Sequence, residues 1–308
     1  MLYLSVPELI AEAANFVPAI KAAGVTATSE RLTQLQDKKI VVKYGGNAMT
    51  DETLQQQFAQ DVALLTAMGV PVVVVHGGGP QIDAMLKRVG IEGQFVQGMR
   101  VTDADTMGIV DGVLCGNVQG QIVNLINQAG KSYGVRAVGM SGKDGRMVRV
   151  KRMHLPDVQN PEIEHDIGLV GEVIGVDTAL IENLLDGDFL PVISPIAADD
   201  QGVTHNVNAD VAAGEIACAM HANKLMLLTN IKGVLDKQGE LIANIDSASA
   251  TALKADGTLY GGMLPKIDSA LDASQRGVGA VHIVDGRVPH VLLQCLLTDA
   301  DVGTAIRV

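Results

Sequence analysis

Two apolar strand segments that run directly into glycines constrain this chain more than any other feature. Residues 43–48 read Lys-Tyr-Gly-Gly-Asn-Ala, and residues 72–80 read Val-Val-Val-Val-His-Gly-Gly-Gly-Pro. A glycine turn exposes backbone N–H groups and lets a ligand approach the main chain closely. Helix-forming residues follow the second segment, and a helix N-terminus attracts anions. Together the segments predict phosphate binding, although each alone is also compatible with an ordinary strand–helix turn.

Two common nucleotide motifs do not fit these loops. The P-loop requires Gly-x4-Gly-Lys-Ser/Thr, and residues 130–132 read Gly-Lys-Ser, but Leu125 occupies the position of the first glycine. The dinucleotide motif Gly-x-Gly-x-x-Gly fails at Ile82. The sequence therefore predicts a third way of binding phosphate.

Composition restricts the partners of the chain. Its 308 residues are 47% hydrophobic and 19% charged, which is typical of a globular protein with a large core. The formal charge of −12 argues against nucleic acid or an anionic membrane as partner. No apolar run in the sequence approaches the roughly 20 residues of a membrane span. Three widely spaced cysteines predict neither a disulfide framework nor a metal site, so we expect a cytoplasmic protein.

Strand and helix patterns alternate along the chain. This alternation predicts an α/β fold, a three-layer sandwich in which helices cover both faces of a central, mainly parallel open sheet. We expect two lobes. Residues 1–37 are interpreted as an N-terminal helix and linker, residues 38–199 as the N-lobe and residues 200–308 as the C-lobe, with the boundary at a polar run. The N-terminal helix, residues 7–23, either serves subunit contacts or folds back on its own domain.

Two lysines stand beside glycine pairs, Lys43 in the N-lobe and Lys266 in the C-lobe. A lysine is a compact positive charge suited to the phosphate oxygens of a phosphoryl-transfer transition state. Either lysine alone could be a solvated surface charge. Asp210 could orient both, or could serve only as a helix cap. His76, at the end of a strand, is interpreted as a structural histidine, since no acid–base partner for it is evident.

These motifs together resemble the amino acid kinase family from about residue 38 to the end. No single motif is decisive, but the ordered set is specific. The matching blocks are residues 43–49, 75–80, 98–102, 206–210 and 262–266.

The resemblance implies a function. In the most similar branch of that family, the N-lobe binds N-acetyl-L-glutamate and the C-lobe binds ATP with Mg²⁺. The side-chain carboxylate becomes phosphorylated, giving N-acetyl-L-glutamyl 5-phosphate in arginine biosynthesis. Mg²⁺ is then held mainly through the nucleotide phosphates, and no metal-ligating residue is predicted. A carboxylate with an unperturbed pKa of ~4.3 is already a nucleophile at neutral pH, so no general base is required.

The resemblance also assigns roles to residues. Lys43 and Lys266 correspond to lysines that stabilise the transition state, and Asp210 to the aspartate that positions them. The residues matching substrate-binding positions are Gly78, Gly79, Arg100 and Asn206, with Arg100 on the α-carboxylate. The residues expected near the nucleotide are Gly45, Gly46, Thr229, Gly233 and Met263.

Oligomers and regulation follow from the resemblance as expectations. A homo-oligomer is implied, either a dimer or a hexamer assembled through the N-terminal helix. In arginine-inhibited relatives a glutamate is expected where this chain has Cys295, and a glycine where it has Asp301. A carboxylate is the natural partner of a guanidinium, so we expect weak or absent arginine inhibition.

Two other functions remain open at this point. A sister kinase could act on another carboxylate, such as aspartate, glutamate or a carrier-linked aminoadipate. A non-catalytic arginine-sensing domain of the same fold is the second alternative, but such a domain does not need both lysines and Asp210.

Overall fold

The computed structural model describes residues 4–157, 160, 162–259, 263–300 and 302–308. Its α-helices are α1 Val6–Ala13, α2 Pro18–Leu35, α3 Glu52–Ala67, α4 Gly79–Arg88, α5 Ala104–Asp111, α6 Gln119–Ala129, α7 Ala179–Asp186, α8 Ala209–Ala219, α9 Ser247–Ala255, α10 Met263–Gln275 and α11 Val291–Leu297. Its strands are β1 Ile40–Tyr44, β2 Val72–His76, β3 Phe95–Val96, β4 Met99–Arg100, β5 Arg136–Ser141, β6 Val148–Arg152, β7 Leu155–Pro156, β8 Glu164–His165, β9 Gly171–Val176, β10 Phe189–Ser194, β11 Ile196–Ala198, β12 Thr204–Asn206, β13 Lys224–Thr229, β14 Asn244–Ile245, β15 Ala280–Asp285 and β16 Thr304–Ile306.

The central sheet has eight strands in the order β14-β16-β15-β13-β1-β2-β10-β5. Strand β16 runs antiparallel to β15, whereas the other neighbouring pairs in this sheet are parallel. The predicted α/β class and mainly parallel sheet are therefore confirmed. Strand β1 lies between β2 and β13, so Lys43 sits opposite Val75 on one side and Leu227 on the other.

The two faces of this sheet carry separate halves of the core. Successive side chains of a strand point to opposite faces. Val42 and Val74 accordingly pack with helices α3, α6 and α11, while Val41 and Val73 pack with α8 and α10. Because both faces are covered, the strands are continuous apolar runs, and this makes them recognisable in the sequence.

A second, four-stranded sheet has the order β12-β11-β6-β9 and was not anticipated. Its β6–β9 and β11–β12 pairs are antiparallel. The chain passes from the central sheet into this one at Pro195, between β10 and β11. Strand β12 then leads directly into α8, and this places Asn206 and Asp210 at the same edge of the protein.

The N-terminal region differs from the expected single helix and linker. Two helices are present, α1 and α2, and the second extends to Leu35 through the stretch interpreted as a linker. Pro18 opens α2, and Gly24, with φ of 79°, interrupts it. Leu9 and Leu32 are buried in the core. The N-terminal helices therefore fold back on their own chain, one of the two alternatives left open by the sequence.

Helices α5 and α6 are joined by a π-helical segment, Gly112–Val118, into one continuous helix, Ala104–Ala129. It is long enough, and an 18-residue window of it is apolar enough, to cross a membrane by length and composition alone. The expectation that no segment reaches this length was thus wrong by that measure. Val110, Leu114 and Ile126 of this helix are buried in the core of the fold, which explains their apolar character.

Candidate active site

The first glycine loop begins where β1 ends. The Lys43 side chain folds back over Gly45, because a Cβ built on Gly45 would lie 2.6 Å from Lys43 Nζ. Gly46 has φ of +73° and opens a short 3₁₀ turn, Gly46–Met49. A Cβ on Gly46 would lie 2.6 Å from Asn230 Oδ1, at the end of β13. The positive φ of Gly46 favours glycine at that position, and a side chain at either position would have to displace the end of the Lys43 or the Asn230 side chain.

Asp210 is the second residue of α8, but it does not cap that helix. Asn208 is the cap, and its side-chain oxygen accepts hydrogen bonds from the backbone N–H groups of Asp210 and Val211 at 2.8 and 3.3 Å. This leaves the Asp210 carboxylate for other partners. The capping alternative considered from the sequence is therefore wrong for Asp210.

Asp210 bridges both predicted lysines. Its Oδ1 lies 3.0 Å from Lys43 Nζ, and its Oδ2 accepts a hydrogen bond from Lys266 Nζ at 2.9 Å. Lys43 arrives from β1 and Lys266 from the first turns of α10. Burial opposes ionisation of Asp210, but the two ammonium groups outweigh it and hold the pKa of this carboxyl below its usual value. The result is a charged Lys–Asp–Lys cluster with a net charge of one positive unit.

The second glycine loop lies beside the first. The backbone N–H of Gly77 donates to the carbonyl of Tyr44 at 2.8 Å. Gly78 precedes the first turn of α4 and packs so closely on Leu114 of the π-helical segment that a Cβ would lie 2.5 Å away. A Cβ on Gly79, in contrast, would have no described atom within 4 Å. The N-terminus of α4 thus presents open backbone next to the lysine cluster, as expected for an anion site.

His76 has a structural environment. It is fully buried, and its Nδ1 lies 2.8 Å from the Gly77 carbonyl oxygen. Burial lowers the pKa of His76 to about 4, so the ring is neutral at physiological pH and Nδ1–H donates this bond. The interpretation of His76 as structural agrees with this geometry.

Arg100 lies on β4 and is 8% exposed. Its Nη2 forms an ion pair with Asp83 Oδ1 at 2.7 Å, and its guanidinium carbon lies 4.6 Å from the centre of the Phe95 ring. Its Nη1 is buried and has no hydrogen-bond partner among the described residues. The guanidinium therefore retains a donor for one further acceptor.

Asn206 is linked to Arg100 through one intermediate residue. Its Nδ2 lies 3.4 Å from Thr102 Oγ1, and Thr102 Oγ1 donates to the Arg100 carbonyl at 3.0 Å. The backbone of Thr102 also pairs with the segment at Gly168. This chain of contacts places Asn206 of β12 close to the segment after β4, and substrate binding by Asn206 and Arg100 stays a prediction.

The residues predicted to lie near the nucleotide have different environments in the structure. Thr229 is buried, and its hydroxyl accepts from the backbone N–H of Ile231 at 3.2 Å, so it shapes the loop after β13. Gly233 has φ of +135°, and a Cβ on it would lie 2.7 Å from both Leu241 Cδ1 and Thr304 Oγ1. Met263 is the first residue of α10 and packs partly against the core. Gly261 and Gly262 lie outside the described residues. Nucleotide contact at these positions stays a prediction.

Within the part of the chain that is described, no group of three or more His, Cys, Asp or Glu residues is placed to hold a metal ion. Glycine N–H groups and ammonium groups instead dominate the edge where β1, β2 and β13 end. Donors of this kind suit phosphate oxygens.

A family model described as the amino acid kinase family matches residues 38–285. This chain belongs to the amino acid kinase family. Proteins named acetylglutamate kinase are similar over nearly the full length. That from Bordetella avium is 53% identical over 294 residues, which cover 96% of this chain and 97% of the relative. That from Albidiferax ferrireducens is 50% identical over 296 residues, covering 96% and 99%.

Solved structures agree on the amino acid kinase fold. N-acetylglutamate synthase from Neisseria gonorrhoeae, complexed with coenzyme A and N-acetyl-glutamate, superposes with a TM-score of 0.77 at 24% identity. That match covers 92% of this chain but only 62% of the synthase. Carbamate kinase from Giardia lamblia, bound to AMP-PNP, has a TM-score of 0.58 at 19% identity and covers 88% of this chain and 98% of the kinase. At these identities the likeness concerns the fold alone.

Two residues that contact the predicted site residues were not identified from the sequence. Asp83 pairs with Arg100, although seventeen positions separate them and nothing in the local pattern marks the pair. Asn230 directly follows β13, and its side chain lies against Gly46 at the end of β1. A signal existed only for Asn230, because it follows a buried strand directly, at the edge where ligands bind in such sheets.

Proposed function

We propose that this chain phosphorylates the side-chain carboxylate of N-acetyl-L-glutamate with ATP, giving N-acetyl-L-glutamyl 5-phosphate and ADP in arginine biosynthesis. One observation carries the proposal: Asp210 holds Lys43 and Lys266 together, at 3.0 and 2.9 Å, from two different parts of the fold. The names of the full-length relatives support the same substrate.

Phosphoryl transfer here requires alignment and charge neutralisation. An oxygen of the acceptor carboxylate attacks the γ-phosphorus, and the bond to the bridging oxygen of ADP breaks. Lys43 and Lys266 neutralise charge on the transferred group and the leaving group. Asp210 fixes the distance between the lysines. Because the acceptor is already ionised, no residue has to remove a proton, which fits the neutral and buried state of His76.

The glycine loops fit the phosphates of ATP. Gly45 and Gly46 add no side chain of their own at the end of β1, so the atoms nearest to their Cβ positions are the movable ends of the Lys43 and Asn230 side chains. Gly78 and Gly79, with Arg100 and Asn206, are assigned to N-acetyl-L-glutamate in this proposal. Mg²⁺ is proposed to be held mainly through the nucleotide phosphates, where it would offset phosphate charge.

A substrate panel tests this function against the sister kinases. Purified protein is incubated with ATP, Mg²⁺ and N-acetyl-L-glutamate, L-glutamate, L-aspartate or a carrier-linked aminoadipate. The acyl phosphate is trapped with hydroxylamine. We expect product with N-acetyl-L-glutamate in large excess over the other acceptors. Higher kcat/KM with another carboxylate would assign the chain to a sister activity, and no product with any acceptor would favour the arginine-sensing alternative.

Weak or absent inhibition by arginine is part of this proposal. Cys295 Sγ lies 3.6 Å from His282 Nδ1, and Lys224 Nζ lies 3.2 Å from His282 Nε2. Burial and, to a smaller extent, the charges of Lys224 and Arg307 together lower the pKa of His282 to about 3. A positively charged guanidinium ligand would meet other cations here. Asp301, the second departure, lies outside the described residues. Half-inhibition by submillimolar arginine would contradict the proposal.

A homo-oligomer in the cytoplasm completes the proposal. The described cysteines Cys115, Cys218 and Cys295 are free thiols, consistent with a reducing compartment. The continuous helix Ala104–Ala129 is only partly buried, and subunit contacts would cover more of it. A dimer is proposed, or a hexamer that uses the N-terminal helices. Sedimentation of purified protein distinguishes monomer, dimer and hexamer.

A further inference from the structure

The Arg100 guanidinium is enclosed on several sides by its own chain. Asp83 Oδ1 contacts Nη2 at 2.7 Å, the Phe95 ring covers one face at 4.6 Å, and a Cβ on Gly93 would lie 3.0 Å from Nη1. The Arg100 side chain is 7% exposed, whereas that of Asp83 is 54% exposed. A buried cation therefore depends on a carboxylate that is itself largely in solvent.

The pairing leaves Arg100 incompletely satisfied. A guanidinium binds a carboxylate best through two parallel N–H···O bonds. Only one contact to Asp83 is present, and Nη1 is buried without a partner in the described part of the chain. Leaving a buried donor without an acceptor is costly, so a carboxylate that engages both nitrogens has an advantage over Asp83.

We propose that Asp83 holds the place of the substrate's α-carboxylate on Arg100 and is displaced when the substrate binds. The inference rests on the proposed function, which assigns that carboxylate to Arg100. Asp83 keeps the buried guanidinium neutralised and correctly oriented in the free protein. The same contact competes with the substrate, so Asp83 weakens substrate binding and allows its release.

Three variants test the exchange. Asp83→Asn removes the competing charge with little change in size. Asp83→Glu restores the charge. Glu92→Gln removes one charge from an exposed residue next to Gly93, and it serves as the matched control because the ion pair of Arg100 is with Asp83 and not with Glu92. Because Asp83 is half in solvent, none of these changes should unfold the protein, and thermal denaturation checks this.

Calorimetric titration with N-acetyl-L-glutamate, without ATP, gives the decisive quantity. We expect the Kd of Asp83→Asn to be about fivefold lower than that of the wild type, which corresponds to ~1 kcal/mol. Asp83→Glu and Glu92→Gln should keep the wild-type Kd. The analogue in which the α-carboxylate is a carboxamide should bind wild type and Asp83→Asn equally, because it carries no charge that competes with Asp83.

The remaining outcomes overturn the proposal. A higher Kd for Asp83→Asn would mean that Asp83 only orients Arg100. An unchanged Kd would mean that the pair plays no part in binding, and an equal gain for the carboxamide analogue would point to a general structural effect. If the wild type neither binds nor phosphorylates N-acetyl-L-glutamate, both the proposed function and the proposed displacement of Asp83 are wrong. If the wild type is active and the Kd of Asp83→Asn is unchanged, the proposed displacement of Asp83 is wrong but the proposed function stands.

Discussion

Replacing Asp210 by asparagine tests the Lys–Asp–Lys cluster with the smallest change in shape. The wild-type carboxylate contacts Lys43 at 3.0 Å and Lys266 at 2.9 Å. Two ammonium groups that share one carboxylate lie ~6 Å apart and repel by ~3 kcal/mol at an effective dielectric constant of ~20. Without the carboxylate, this repulsion separates the lysines. If bringing the lysines together again adds the full ~3 kcal/mol to the activation free energy, kcat falls ~10²-fold.

The assay follows ADP release at saturating ATP and N-acetyl-L-glutamate. We expect kcat to fall by about two orders of magnitude while both KM values change little, because the lost interaction acts mainly in the transition state. Asp200→Asn, at an exposed turn, is the control for the change in net charge. Sulfate should inhibit Asp210→Asn more strongly than the wild type, since the lysines would then lack their counter-ion.

Two results would refute this reasoning. A kcat within about threefold of the wild type would show that Asp210 does not hold the lysines for transfer, since threefold is far below the expected ~10². A loss expressed only in KM would show that the cluster binds substrate and transition state equally.

Three further predictions concern stability and the loops. Burial lowers the pKa of His76 to about 4, below the ~6.5 of an unfolded histidine, so its stabilisation is present above pH ~6.5 and is lost as the pH falls towards 4. Denaturant titrations at pH 7 and 5 should show a decrease of ~2 kcal/mol in the free energy of unfolding that is smaller in His76→Gln. Gly46→Ala should lower the free energy of unfolding more than Gly202→Ala does, and it should raise the KM for ATP. Both glycines have positive φ, but only a Cβ on Gly46 would meet Asn230. Equal losses of stability would show that the Asn230 side chain does not oppose a Cβ on Gly46. Ile10→Ala, at a fully buried position of α1, should lower the free energy of unfolding by ~2–5 kcal/mol, whereas Val25→Ala, 42% exposed, should change it by less than ~0.5 kcal/mol; a negligible Ile10→Ala effect would mean that the N-terminal helices do not pack on the core.

Structural features could be predicted from the local sequence where all the residues that determine them lie in one short segment. Strand β2 is a run of valines that ends in glycines, so both its burial and the exposed backbone after it are encoded within residues 72–80. Lys43 and Lys266 were recognisable for the same reason, since each stands beside a glycine pair. Their meeting at Asp210 followed from the family resemblance, because strand and helix patterns do not report which helix starts face each other.

Features that depend on tertiary packing escaped prediction. Residues 24–37 are polar enough to suggest a linker, yet Leu32 and Leu35 are buried and extend α2 across them. The second sheet is assembled from short strands between residues 148 and 206 whose pairing no local pattern specifies. The Asp83–Arg100 pair depends in the same way on the relative placement of α4 and β4.

The most direct test of the account is the rate of acyl-phosphate formation in one turnover by the wild type, Lys43→Ala and Lys266→Ala. Each protein is mixed in excess with ATP, Mg²⁺ and N-acetyl-L-glutamate, and the product is trapped with hydroxylamine. We expect product with the wild type and a rate lower by ~10²–10³ in each variant, with both substrates still bound. Wild-type rates in either variant would contradict the central claim that the two lysines together stabilise the phosphoryl group during transfer.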